Sequence, residues 1–174
     1  MDNLLKLIMN RRSIRKFRDE KPEKELIVKI LSAGLLAPTS KNKKPVEFII
    51  IEDRDTMIKL KDCKTKGTIG LDTAAYAIVV IVDSQKSDVW IEDASIAAAY
   101  MQLQAEQLGL GSVWLQMRNR ESEFDSAENE VRKLLNIPEK YGVLCIIALG
   151  YKDEIRNPYK EDDIEASKVH YNIF

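Results

Sequence analysis

Residues 88–108 restrict the possible folds of this chain more than any other segment. Ile91, Ala94, Ala98, Met101, Ala105 and Leu108 recur three and four residues apart, which predicts one long helix with a single buried face. Gly109 predicts its end, since glycine takes the left-handed conformation after a helix without steric cost, and Gly111 is expected to keep the following turn tight. The triplet Ala97-Ala98-Ala99 lets another backbone come close, either inside the core or across a subunit interface. Apolar runs of strand length flank the helix, at 77–82 before it and 112–116 after it. A helix of this kind between such strands implies an α/β protein.

The remaining elements are shorter. Pro22 opens a helix in which Leu26, Ile27, Ile30 and Leu31 keep helical spacing, and Pro38 bounds it because proline disfavours a helical residue before it. Residues 39–44 read as a loop, 46–51 as a strand, and a short helix passes through Met57 and Leu60. A helix at 129–136 and a last strand at 143–149 complete the main body. The expectation is an α/β (α+β) chain whose small mixed sheet is flanked by helices, in a single domain over residues 1–174. Beyond Gly150 the sequence is polar and poorly periodic, as expected of an arm ordered by packing on a partner subunit.

Composition removes several function classes. With 27 basic and 28 acidic residues interleaved to a net charge of -1, the chain lacks the basic face of a general nucleic-acid binder. The longest apolar run, 74–82, falls far short of the roughly 20 residues that cross a bilayer. No signal-peptide pattern opens the sequence, so a soluble cytoplasmic protein is expected. Cys63 and Cys145 are too few and too scattered for a disulfide framework. One histidine, His170, lies far from both, which leaves no zinc ligand set and no Ser-His-Asp or Cys-His nucleophile. Chemistry in this chain would come from a cofactor.

The residues suited to hold one are Arg11-Arg12-Ser13-Ile14-Arg15, placed directly after the apolar stretch Leu4-Leu5-Lys6-Leu7-Ile8-Met9, and the segment Ala37 to Pro45. Arginines at a helix end also offset the helix dipole, and a basic run can be a solvated face. As ligands they match a phosphate monoester, each charge-assisted bond contributing about 1.5–3 kcal/mol. Gly109-Leu110-Gly111 follows a helix, precedes a strand and has no third glycine, so it is not a dinucleotide fingerprint. There is no Walker P-loop either. A terminal phosphate held by side-chain cations fits flavin mononucleotide (FMN) better than FAD.

In chain order, Arg11 to Arg15, the Pro38 to Pro45 segment, Leu108-Gly109-Leu110-Gly111-Ser112-Val113-Trp114, Leu134 to Glu139, Gly150-Tyr151 and Val169-His170-Tyr171 resemble the FMN-dependent nitroreductases over nearly the full length. The resemblance implies a three-layer fold, with the C-terminal arm packing on a partner subunit, and a homodimer with FMN at the interface. It implies an enzyme that uses NAD(P)H to reduce nitroaromatic, quinone or related electrophiles by a ping-pong mechanism, with no nucleic acid or membrane partner. A flavin-binding or sensing protein with little turnover is the alternative. By the same resemblance, Arg11 and Ser13 contact the ribityl phosphate, Arg12 the same chain or a neighbouring carboxylate, and Arg15 the pyrimidine edge. Pro38, Thr39 and Ser40 reach the flavin of the second subunit, and Asn42 binds ribityl and pyrimidine oxygens. Trp114, Leu115 and Gln116 form the strand that passes the flavin, a backbone N–H there serving N5, while the Trp114 ring is core or cofactor contact. Lys44 replaces a glutamine of many relatives, and Pro158-Tyr159-Lys160 only partly matches a phosphate-binding motif.

Cys63 lies in a segment of mixed charge and Cys145 inside an apolar strand, and no histidine stands beside either, so neither is expected to be an activated thiol. Cys63→Ser is therefore expected to leave turnover nearly unchanged. A large loss at normal flavin content would put a thiol into the mechanism.

Overall fold

A computed structural model describes residues 3–174. Four strands, β1 (Val46–Ile51), β2 (Tyr76–Asp83), β3 (Leu110–Gln116) and β4 (Tyr141–Tyr151), form one sheet in the order β1-β2-β4-β3. Every pairing is antiparallel, which corrects the expected mixed sheet. The only parallel element among the described residues is an isolated bridge from Ser13 to Ser112, outside the four strands. Both central strands are buried along their length, β2 completely, because each side of the sheet is covered.

On one face, Ile78, Val80, Val82, Cys145, Ile147 and Leu149 pack under α2 (Lys24–Leu35) and α4 (Trp90–Gln107). On the other, Ala77, Val79, Ile81, Ile146 and Ala148 meet Met57 and Leu60 of α3 (Arg54–Asp62) and Val131 of α5 (Ala127–Leu135). Alternate side chains of one strand thus feed two cores, the period-2 rule applied to a sheet with no wet face. The result is three layers, with α1 (Asn3–Asn10) joining the α2 and α4 layer. None of the described helices is long and apolar enough to cross a membrane.

Helix α4 ends as its sequence predicts, with Gly109 at φ 78°. Gly111 differs from expectation: it lies inside β3, and a Cβ there would come within 2.9 Å of Ile14 and of the Lys152 stem. Its absent side chain is what lets residues on either side cross the strand closely. Cys63 is buried at the end of α3, and its thiol is pushed up to about 11 by burial and then by the charges of Glu130 and Asp62. At neutral pH it is protonated and a poor nucleophile.

Gly111→Ala is expected to cost about 1–3 kcal/mol, a fall in Tm of roughly 2–12 °C for a chain of this size. Thermal melts of the flavin-free protein measure it, and an unchanged Tm would mean that the crossing is loosely packed.

Candidate functional site

The arginine segment is held by the apolar residues between its charges. Ile14 and Phe17 are buried at 2% and 3% exposure, three residues apart, while Arg15 and Lys16 stay outside. The Ile14 N–H donates to the Ser112 carbonyl at 3.0 Å, and the Phe17 N–H to Thr73 Oγ1 at 2.9 Å. The segment therefore starts at the outer edge of β3 and crosses to the end of β4, where Phe17 faces Lys152. Arg11, Arg12, Ser13 and Arg15 line a cavity of about 210 Å³, joined by Arg156 and Tyr159.

The edge of β3 adjoins the segment that lines that cavity, through the bridge from Ser13 to Ser112. Backbone N–H and C=O groups alternate between the two edges of a strand. Since Ser112 faces outward to Ile14, Trp114 and Gln116 also turn their N–H groups to the free edge, the first about 7 Å further along. Their side chains are mutually engaged: Trp114 Nε1 donates to Gln116 Oε1 at 2.8 Å, and Gln116 Nε2 to the Arg118 carbonyl at 2.9 Å. Trp114 also packs against the α4 core. Leu115 points into the opposite core, with its backbone toward β4, so what this stretch offers a ligand is the main chain of Trp114 and Gln116.

A strap formed by the polar segment after β4 lines the cavity with Arg156 and Tyr159. After β4, Phe17 and Lys152 form an antiparallel bridge, the Asp153 N–H donates to the Lys16 carbonyl at 3.0 Å, and the Tyr159 N–H to the Met9 carbonyl at 2.9 Å. Lys152 Nζ holds both oxygens of Glu106 at 2.7 and 2.8 Å, which ties the strap to the last turn of α4. Arg12 donates to the Asn157 carbonyl, and its guanidinium lies 4.4 Å from the centre of the Tyr159 ring. Arg12 is thus committed to the strap, leaving Arg11, Ser13, Arg15 and Arg156 to face a ligand. Glu154 accepts from the Arg15 and Lys16 N–H groups and pairs with Arg156 at 2.6 Å. Burial opposes its ionisation, but these bonds prevail and its carboxyl lies below the ordinary glutamate value. Lys160 stays outside this cavity.

The second predicted segment lies elsewhere. Thr39 and Ser40 are half-buried, Pro38 and Asn42 exposed, beside the first turn of α4. The Ser40 N–H donates to Asp93 Oδ1 at 2.8 Å, and the Ser87 hydroxyl to Asp93 Oδ2 at 2.7 Å. Thr39 Oγ1 accepts from the Lys44 N–H at 3.0 Å. Lys41, Asn42 and Lys44 all have positive φ, 51°, 53° and 45°, a conformation costing non-glycine residues about 1–3 kcal/mol each. Asp93, at 2% exposure, is the residue that organises this loop. Its sequence signal was a carboxylate on the apolar face of the longest helix, next to Ala94 and Ala97.

Ser40 meets α4 at Asp93, whereas the arginine segment and strap meet it at Gln102, through Ser112, and at Glu106. At 1.5 Å per residue these points stand about 14–20 Å apart. One chain therefore presents two half-sites at opposite ends of one helix.

The nitroreductase family model matches residues 8–69 and 64–151. An Archaeoglobus fulgidus protein provisionally named NADH dehydrogenase/NAD(P)H nitroreductase is 39% identical over 98% of both chains. The structure of an FMN-dependent nitroreductase from Clostridium difficile superposes with a TM-score of 0.95 at 49% identity, covering 98% of this chain and 99% of that one. A provisionally named nitroreductase from Desulfovibrio desulfuricans, solved in complex with FMN, matches at 0.79 and 27% identity, covering 100% and 99%. On this evidence of sequence and fold together, the chain belongs to the nitroreductase family.

Proposed function

We propose that this protein is an FMN-dependent NAD(P)H oxidoreductase, acting as a homodimer on nitroaromatic, quinone or related electrophiles. The observation that carries the reading is the cavity lined by Arg11, Ser13, Arg15 and Arg156 beside the outward N–H groups of β3. Cations for a phosphate at one end and neutral donors along an edge match the two ends of FMN. When bound, FMN supplies two-electron transfer between the nicotinamide and the acceptor. The protein binds and orients it. Arg11, Ser13 and Arg156 hold the phosphate, Arg15 stabilises the negative charge that reduction places on the pyrimidine edge, and the main chain at Trp114 or Gln116 donates at N5. No side chain is assigned as acid or base, so the proton comes from solvent.

Three observations support the dimer. The two segments meet α4 at points about 14–20 Å apart within one chain, and on this reading Pro38, Thr39, Ser40 and Asn42 serve the flavin of the other subunit. Leu4, Ile8, Val28, Ile96 and Tyr100 are exposed on the helical layer formed by α1, α2 and α4. The chain exposes 10400 Å², about 1,700 Å² more than a compact monomer of 19.9 kDa, because residues 155–174 lie extended at the surface.

FMN is expected to bind at least about 100-fold more tightly than riboflavin, the equivalent of two charge-assisted bonds, and equal affinities in titration would reject the phosphate site. Dilution to monomer should release the cofactor, which light scattering with absorbance at the flavin band will detect; a flavin-loaded monomer would reject the shared site. The two substrates should exclude each other and give parallel double-reciprocal lines. Arg15→Ala should slow reduction by NAD(P)H roughly 10- to 1,000-fold with FMN largely retained, and an unchanged rate would remove Arg15 from the mechanism.

A further inference from the structure

Glu154 bonds the backbone of the cation-lined segment at Arg15, next to the ion pair of Lys16 with Asp153, and its position is unusual. The Arg15 and Lys16 N–H groups, successive along the chain, converge on its Oε1. Two amides that donate to one oxygen favour its ionised form, and here that oxygen belongs to a carboxylate of the same chain. The other oxygen, Oε2, holds Arg156 at 2.6 Å. The side chain is 18% exposed, so its charge is only partly screened by water. One carboxylate therefore fixes the backbone that carries Arg15 and takes up part of the charge of Arg156.

The path of the strap does not depend on this group alone. The Phe17 and Lys152 bridge, the Asp153 to Lys16 bond, the Arg18 N–H to Tyr151 bond at 2.9 Å and the Lys152 pair with Glu106 hold the same crossing. What Glu154 adds is a fixed negative charge beside Arg15. We propose that Glu154 is a positioning residue that sets the redox balance of the bound flavin: it anchors Arg15 and lowers the positive field that Arg15 presents to the pyrimidine edge. This rests on the assignment of Arg15 to that edge. It predicts that the site, left to its arginines, would favour the reduced cofactor more strongly than the native protein does.

Glu154→Gln tests this because an amide oxygen still accepts from the two N–H groups while the charge is gone. Spectroelectrochemical titration of the FMN-loaded homodimers should show the two-electron midpoint of Glu154→Gln raised. The rise should correspond to a reduced-over-oxidised affinity ratio increased about 3- to 30-fold, equal to about 15–45 mV at 29.6 mV per tenfold. Glu154→Asp, which keeps the charge, should stay closer to the native midpoint than Glu154→Gln. Arg15→Ala, which removes a positive charge, should fall below it. If Arg15→Ala falls and Glu154→Gln does not move, the proposal is overturned while the flavin assignment stands. If neither moves, the assignment of Arg15 fails and takes the proposal with it. A Glu154→Gln protein that cannot hold FMN also overturns the proposal, which requires the amide to keep the anchor.

Discussion

Burial of Ile14 against Gly111 of β3 and of Phe17 against Gly150 of β4 is the contact on which the site is built. Moving two such side chains out of water contributes about 1.5–3 kcal/mol each. Two exposed guanidinium groups about 6 Å apart in water repel by only about 0.7 kcal/mol. The apolar anchors therefore win, and the chain can gather Arg11, Arg12 and Arg15 on one side of a crossing that would disperse without them. Gly111 and Gly150 serve the same contact, since a Cβ at either would come within 3.0 Å of Ile14 or Phe17. The strap then adds Arg156 and Glu154 to what the anchors have placed.

Helix α4 links this crossing to the other half-site. Its last turns touch the strap and β3, and its first turn holds the Thr39 to Lys44 loop through Asp93. The two ends have different physical character: one is an array of arginines beside a strand edge, the other a loop of Thr39, Ser40, Asn42 and three lysines that includes left-handed backbone and is tied to the buried Asp93 carboxylate through the Ser40 N–H. On the dimeric reading proposed above, a single ligand with an anionic end and a hydrogen-bonding end uses both when a second subunit brings the opposite end of its own α4 alongside. The exposed apolar residues of the helical layer fit such a neighbour, and so does the unusually large surface of the chain.

Much of the fold was legible because it follows from periodicity. The long helix, its glycine stop and four strand-length apolar runs correspond to α4, Gly109 and β1 to β4. Strand direction was not legible, since continuous apolar runs say that a strand is buried on both faces but not which way its neighbour runs. Gly111 was misread as a turn residue because a close crossing in space leaves the same local signature as a tight turn. At the site, Arg11, Arg12 and Arg15 stood out as charges next to an apolar helix, with Ser13 between them. Arg156 and Glu154 did not, because a polar segment without periodicity looks alike whether it straps a site or floats in solvent.

The central claim is that each flavin site combines the arginine half of one subunit with the loop half of the other. It is tested most directly by mixing two inactive homodimers, one carrying Arg11→Ala with Ser13→Ala and the other Ser40→Ala with Asn42→Ala. After subunit exchange, the mixed dimer should contain one site with both halves intact and recover one FMN per two chains. If each site lay within a single subunit, both chains of the mixed dimer would stay defective and no flavin binding would return.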